Sequence, residues 1–264
     1  MKLAVDLRNF PGKISPRYFL PLLFLFACGL ATGQVKKTTA PPPAVDSTAV
    51  IKRFLTAAGS DGLLYQYVDT YVFRQKQKDS TARDTMSVAI ADNHNIRTQL
   101  GMLGMQVIGH GDLPGYSVLL YPQNKTYSLN VVDTAAINAG GKETYRINKV
   151  GNETLQGYHC AHVKITISYG RGVDVAEDLW VSTDVPGYAA FKKMATMQQL
   201  TPKTMTALDQ AACPGMFVKM QMQSTAFSMS MLLVSADRKN FPGSLFQIPS
   251  GYTRANTHVV PRRL

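Results

Sequence analysis

From Leu63 onward, apolar residues recur at every second position rather than at every third or fourth. Met86, Val88 and Ile90 stand in alternate positions, as do Tyr116, Val118 and Leu120, and then Tyr145 and Ile147. Successive side chains of a strand point to opposite faces, so this period prescribes strands and rules out a helical bundle. Turn residues separate the runs. Pro122-Gln123-Asn124-Lys125 joins two strands, Gly151-Asn152 opens a loop before the strand His159–Tyr169, and Gly170-Arg171-Gly172 leads to the strand Leu179-Trp180-Val181. Runs that follow one another through such turns predict an antiparallel meander.

Helical spacing occurs in two places. Asp46 or Ser47 can cap a short helix with Val50, Phe54 and Ala58 four residues apart, ended by Gly59 and Gly62. A second helix is predicted over Ala189–Leu200 with Phe191, Met194 and Met197, and a third where Thr201 caps Pro202 ahead of Met205, Leu208 and Ala212. Two more strands, Met216–Gln223 and Thr225–Ser235, then close the sheet. The expected fold class is α+β, a large twisted antiparallel sheet with helices covering one face, in a single domain over 46–254. The 264 residues, 45% of them hydrophobic, are enough to fill a core of that size.

Residues 1–33 read as a secretory signal peptide. Lys2, Arg8, Lys13 and Arg17 precede the apolar stretch Tyr18–Ala31, and Ala31-Thr32-Gly33 supplies small residues for cleavage. That stretch contains Pro21 and falls short of the ~20 residues that span a bilayer. Leu25-Phe26-Ala27-Cys28 approximates a lipoprotein box, so an outer-membrane lipoprotein anchored through Cys28 is the alternative to a free periplasmic protein. Residues 34–45, with Pro41-Pro42-Pro43, read as a flexible tether, and 255–264 as a basic C-terminal tail.

The formal charge of +11 permits nucleic acid, an anionic membrane surface or an acidic ligand as partner. Basic residues are scattered, without the aromatic-interleaved stripe of a nucleic-acid binder, and export argues against nucleic acid as well. An anionic membrane surface stays open. Catalytic signatures are missing: there is no Gly-x-Ser-x-Gly, no Gly-x-x-x-x-Gly-Lys and no His-Glu-x-x-His. The expectation is a non-enzymatic protein without cofactor.

His159 and His162 lie three apart on a strand, hence on opposite faces, and are not expected to share a metal; only Cys160 and His162 share a face. Cleavage at Gly33 would leave Cys160 and Cys213 as candidates for a disulfide in an oxidising compartment, with two separately buried thiols as the other reading. Methionine is the compositional oddity, because eight of twelve fall between Met194 and Met231. Met216, Val218, Met220 and Met222 are expected on one strand face, and Phe227, Met229, Met231 and Leu233 on the next. Phe191, Met194, Met220, Met222, Met229 and Met231 are the candidate apolar ligand-binding wall, soft enough to re-pack around variable shapes. Filling a plain core is the competing role. The Met-x-Met pairs also offer thioethers of the kind that bind copper(I), but no Met-rich tail accompanies them.

Several phrases together resemble a family of exported bacterial proteins of unknown function. They are Val150-Gly151-Asn152-Glu153-Thr154 with Gly157-Tyr158-His159-Cys160, then Leu179-Trp180-Val181-Ser182, and the ending Phe246-Gln247-Ile248-Pro249-Ser250-Gly251-Tyr252. That family in turn resembles the periplasmic lipoprotein-carrier (LolA-like) group. The resemblance implies a curved, half-open antiparallel barrel covered by helices, and a lipid or lipoprotein acyl chain as partner. The function expected is an exported, non-enzymatic carrier or binder of an apolar ligand; a structural envelope protein with a filled core is the alternative.

Overall fold

The alternating runs form six strands in the first half of the chain: β1 (Ser60–Phe73), β2 (Ser80–Ala91), β3 (Ile96–Leu100), β4 (Met105–Gly109), β5 (Tyr116–Tyr121) and β6 (Thr126–Val131). Each is antiparallel to the one before it. The second half repeats the plan with β7 (Thr144–Leu155), β8 (Tyr158–Ser168), β9 (Asp174–Ser182), β10 (Met216–Gln223) and β11 (Phe227–Phe241). A two-residue β12 (Thr253–Arg254) runs parallel to β6. The computed structural model describes residues 47–74, 79–101, 103–113, 115–131, 144–168, 174–197, 203–223 and 227–255. The expected leader, tether and tail beyond 255 lie outside these, as do Gly170-Arg171-Gly172, Thr201, Pro202 and Thr225.

Among the described residues all twelve strands belong to one curved, open sheet in the order β12-β6-β5-β4-β3-β2-β1-β11-β10-β9-β8-β7. The two meanders are joined where β1 pairs along its length with β11, from Ser60↔Phe241 to Phe73↔Phe227. The late strands therefore complete the sheet by joining its two halves. They lie at the centre of the sheet, because β1 has an unpaired side until the chain returns.

The structure differs from the sequence expectation at two turns. The first helix, α1 (Ser47–Arg53), ends before Ala58, and Gly62 lies inside β1. A Cβ on Gly62 would sit 2.2 Å from the Ile90 carbonyl oxygen, so glycine here lets β2 close on β1 rather than stopping a helix. Gly151-Asn152 is not a loop either: β7 bulges between Lys149 and Gly151 and continues to Leu155. The hairpin is Gln156-Gly157, with φ of 53° and 80°, the positive pair that a two-residue turn requires.

Cross-strand register sorts the side chains into two faces. The inner face carries Tyr65 and Tyr67 of β1, Met86 and Val88 of β2, Val163 and Ile165 of β8, and Leu179 of β9, all buried in the larger cluster. Between β9 and β10, α2 (Tyr188–Met197) and α3 (Lys203–Gln210) add Phe191, Met205 and Leu208 to that cluster. The opposite, outer face has a smaller core of Ala89, Ile108, Val118 and Leu120, covered by Val50 of α1, by Phe54 in the turn after it and by Phe246 of the 3-10 turn Gly243–Phe246.

The start of α2 is pinned to the inner face by a hydrogen bond that Tyr65 Oη donates to Pro186 O at 2.6 Å. The next residue, Gly187, has φ +83°, and a Cβ there would come within 2.2 Å of Leu63 Cδ1 and 2.4 Å of Tyr65 Oη. Gly187→Ala is expected to lower stability by ~1–3 kcal/mol through backbone strain and displacement of α2. Chemical denaturation checks this, and an unchanged midpoint would contradict it.

Candidate ligand-binding face

The methionines of β10 and β11 meet in two rungs. Met220 pairs with Met231 and Met222 with Met229, and all four are buried. Extending each rung across the sheet gives Leu179–Met220–Met231–Asp69 in one row and Glu177–Met222–Met229–Tyr71 in the next. Tyr67, Leu233 and Phe227 continue the same face in neighbouring rows. Phe191 is buried in this cluster; the side chain of Met194 lies outside the described residues.

Met216 departs from the expected pattern. A bulge between Phe217 and Lys219 re-phases β10, so Phe217 pairs with Val181 while Met216 pairs with Ser182. Val181 shares the face of Leu179 and Ser182 does not, so Phe217 replaces Met216 on the inner wall.

Two carboxyl groups stand among these apolar side chains. Glu177 is 2% exposed and Asp69 8%. Neither Glu177 Oε2 nor Asp69 Oδ1 has a hydrogen-bond partner among the described residues, while Tyr71 Oη donates to Asp69 Oδ2 at 3.4 Å. Burial pushes the Glu177 carboxyl up to about 7. Asp69 is raised to about 6, first by burial and then by the charge of Asp84, with the Tyr71 hydroxyl pulling it partly back. Below those values the carboxyls are uncharged, which an apolar wall tolerates, and each then offers a donor as well as an acceptor.

The period already carried this signal. Asp69 falls in phase with Tyr65, Tyr67 and Tyr71, and Glu177 with Leu179 and Val181, so each acid occupies a position that strand alternation assigns to the core.

On the outer face of β8 and β9, Trp180 stands with Asp178 and away from Leu179 and Val181, as alternation predicts, yet it is only 6% exposed. The His162 ring stacks on it at 4.1 Å, and Lys219 Nζ lies 4.3 Å from the indole centroid. His162 is held between Glu153 at 3.1 Å and Asp178 at 3.0 Å, while His159 engages Asp184. The two imidazoles thus serve different carboxylates, and no group of three or more His, Cys, Asp or Glu assembles as a metal site among the described residues. Trp180 fluorescence is expected to resist iodide in the native protein, and His162→Ala to open the indole to quenching. Equal quenching of both proteins would contradict the stacked arrangement.

The candidate disulfide is not formed: Cys160 and Cys213 are both free and buried. β9 lies between β8, which carries Cys160, and β10, into which Cys213 leads. Cys160 Sγ instead donates to Tyr158 O at 3.4 Å, and burial raises its pKa.

Residues 76–252, more than half of the chain, match the family described as a domain of unknown function, DUF4412. The chain belongs to that family. This agrees with the resemblance drawn from the Gly157–Cys160 and Phe246–Tyr252 phrases. No curated protein matches the DUF4412 chain. Among solved structures it is similar to a LolA superfamily protein from Nitrosomonas europaea, at 10% identity over 77% of this chain and 98% of that one, with a TM-score of 0.28. A DUF1329 family protein from Desulfovibrio piger shares 11% identity over 76% and 95% of the two chains, with a TM-score of 0.25. A candidate outer membrane lipoprotein-sorting protein domain from Vibrio parahaemolyticus shares 9% over 68% and 86%, also at 0.25.

Proposed function

We propose that this DUF4412 protein is an exported, non-enzymatic binder or carrier of a lipid-like apolar ligand, with Phe191, Met194, Met220, Met222, Met229 and Met231 on the binding wall. The observation that carries the reading is the pair of methionine rungs, each ending at a buried carboxyl with an oxygen that has no hydrogen-bond partner among the described residues. Long thioethers have many rotamers and can re-form contacts around an acyl chain, where a uniquely packed core favours Leu, Ile or Val. Burial of the chain would drive binding at about 0.8 kcal/mol per CH₂. Asp69 and Glu177 would receive polar atoms of the ligand. Export through residues 1–33, with release into the periplasm or anchorage at Cys28, gives such a protein access to envelope lipids and to anionic membrane surfaces.

A structural role with a filled core is favoured by one specific observation, the near-complete burial of Met220 and Leu179 among the protein's own side chains. Titration with an apolar fluorescent probe such as N-phenyl-1-naphthylamine separates the two. The binder takes up the probe and releases it to a long-chain acyl competitor; a filled core takes up none.

A further inference from the structure

The outer face holds a separate pocket. Leu64, Ala89 and Arg97 form one row across β1, β2 and β3. Because Ala89 is small, the floor of the row is low, and the end of β11 and the 3-10 turn rise beside it. The result is a cavity of about 390 Å³ with Leu64, Ala89, Phe241 and Leu245 as apolar lining and Arg97 and Lys239 as its charges. None of its lining residues is acidic.

Arg97 is the unusual member. Its Nη1 donates to Leu245 O at 2.7 Å and its Nη2 to Gln106 Oε1, both neutral acceptors. No carboxylate forms an ion pair with it among the described residues. Burial lowers its pKa, with Tyr252 pulling it partly back. Guanidinium nevertheless stays protonated and has five donors in a planar fork, of which these bonds use two. Lys239 is exposed and supplies a second, movable positive charge. A half-buried cation fixed by neutral groups, facing a cavity of ligand size with apolar walls, is suited to a molecule with an anionic head and a short hydrocarbon body.

We propose that this outer-face pocket binds a medium-chain aliphatic carboxylate, with its head on Arg97 and Lys239 and its chain against Leu64, Ala89 and Phe241. The site lies on the opposite face from the methionine rungs and does not rest on their role.

Isothermal titration of the full mature chain with octanoate tests it, with 1-octanol lacking the charge and acetate lacking the chain. Octanoate is expected to bind at least about tenfold more tightly than either, since both the charged hydrogen bonds and the apolar contact contribute. Arg97→Gln should weaken octanoate binding about tenfold or more, and Arg97→Lys less, because charge is kept and the fork lost. Lys239→Gln alters an exposed side chain and keeps the test decisive should Arg97→Gln fail to fold; it should weaken octanoate severalfold and leave octanol unchanged. Octanoate binding no tighter than octanol, or unaltered in Lys239→Gln, would overturn the proposal.

Discussion

Replacing Glu177 by glutamine will stabilise the protein at pH 8 by ~3 kcal/mol and leave it near wild type at pH 4. In the unfolded chain this carboxyl ionises near its ordinary 4.5, whereas burial holds it near 7 in the native state. Between those values the unfolded state binds fewer protons, so wild-type stability declines as pH rises, and the contribution is lost once pH passes 7. Glutamine keeps the shape and cannot ionise. Asp69, raised to about 6, declines over a lower window in both proteins and cancels in the difference. Thermal or urea denaturation at the two pH values reads the effect. A pH dependence identical in wild type and variant would show that Glu177 is not a buried acid.

Substituting both Met222 and Met229 with tryptophan will remove bound lipid while the chain still folds. The two residues form a single rung beside Glu177 and Tyr71, so indoles at both positions occupy the same strip of the inner wall. A wall that holds a displaceable ligand exchanges that ligand for the added bulk. A core already filled by protein atoms has no such exchange open to it and loses roughly 1–3 kcal/mol per site by overpacking. Denaturation midpoint and extracted lipid, measured on one preparation, distinguish these outcomes. An unfolded double variant together with a lipid-free wild type would contradict the binding role.

The strands were legible because alternation is a local signal: Tyr116–Leu120 and Met220, Met222, Met229 and Met231 stand where period two puts them. Pairing was less legible. Nothing in the residues of β1 announces that it will meet β11, a partner more than a hundred and fifty positions later, since register between distant strands is settled by packing of the finished sheet. The bulge that turns Met216 away from Met220 was hidden for a related reason, because one inserted residue leaves composition unchanged and inverts phase. The turn at Gln156-Gly157 lost out to the more familiar Gly-Asn, although positive φ at both positions of a two-residue hairpin is the controlling requirement.

The candidate site was partly legible. The methionine wall could be read from spacing alone. The two acids are legible as well, as charged residues in core phase. Trp180 shows the limit from the other direction: its same-face strand neighbours Asp178 and Ser182 are polar, while its burial depends on His162 and Lys219 from two other strands.

Native mass spectrometry of the mature protein, purified without detergent from the envelope of its own producing cell, tests the central claim most directly. The expected spectrum contains a species heavier than the bare chain by one acyl-bearing molecule, and that species disappears in the Met222→Trp/Met229→Trp variant. A wild-type spectrum showing only the bare chain, from protein that also takes up no apolar probe, would contradict it.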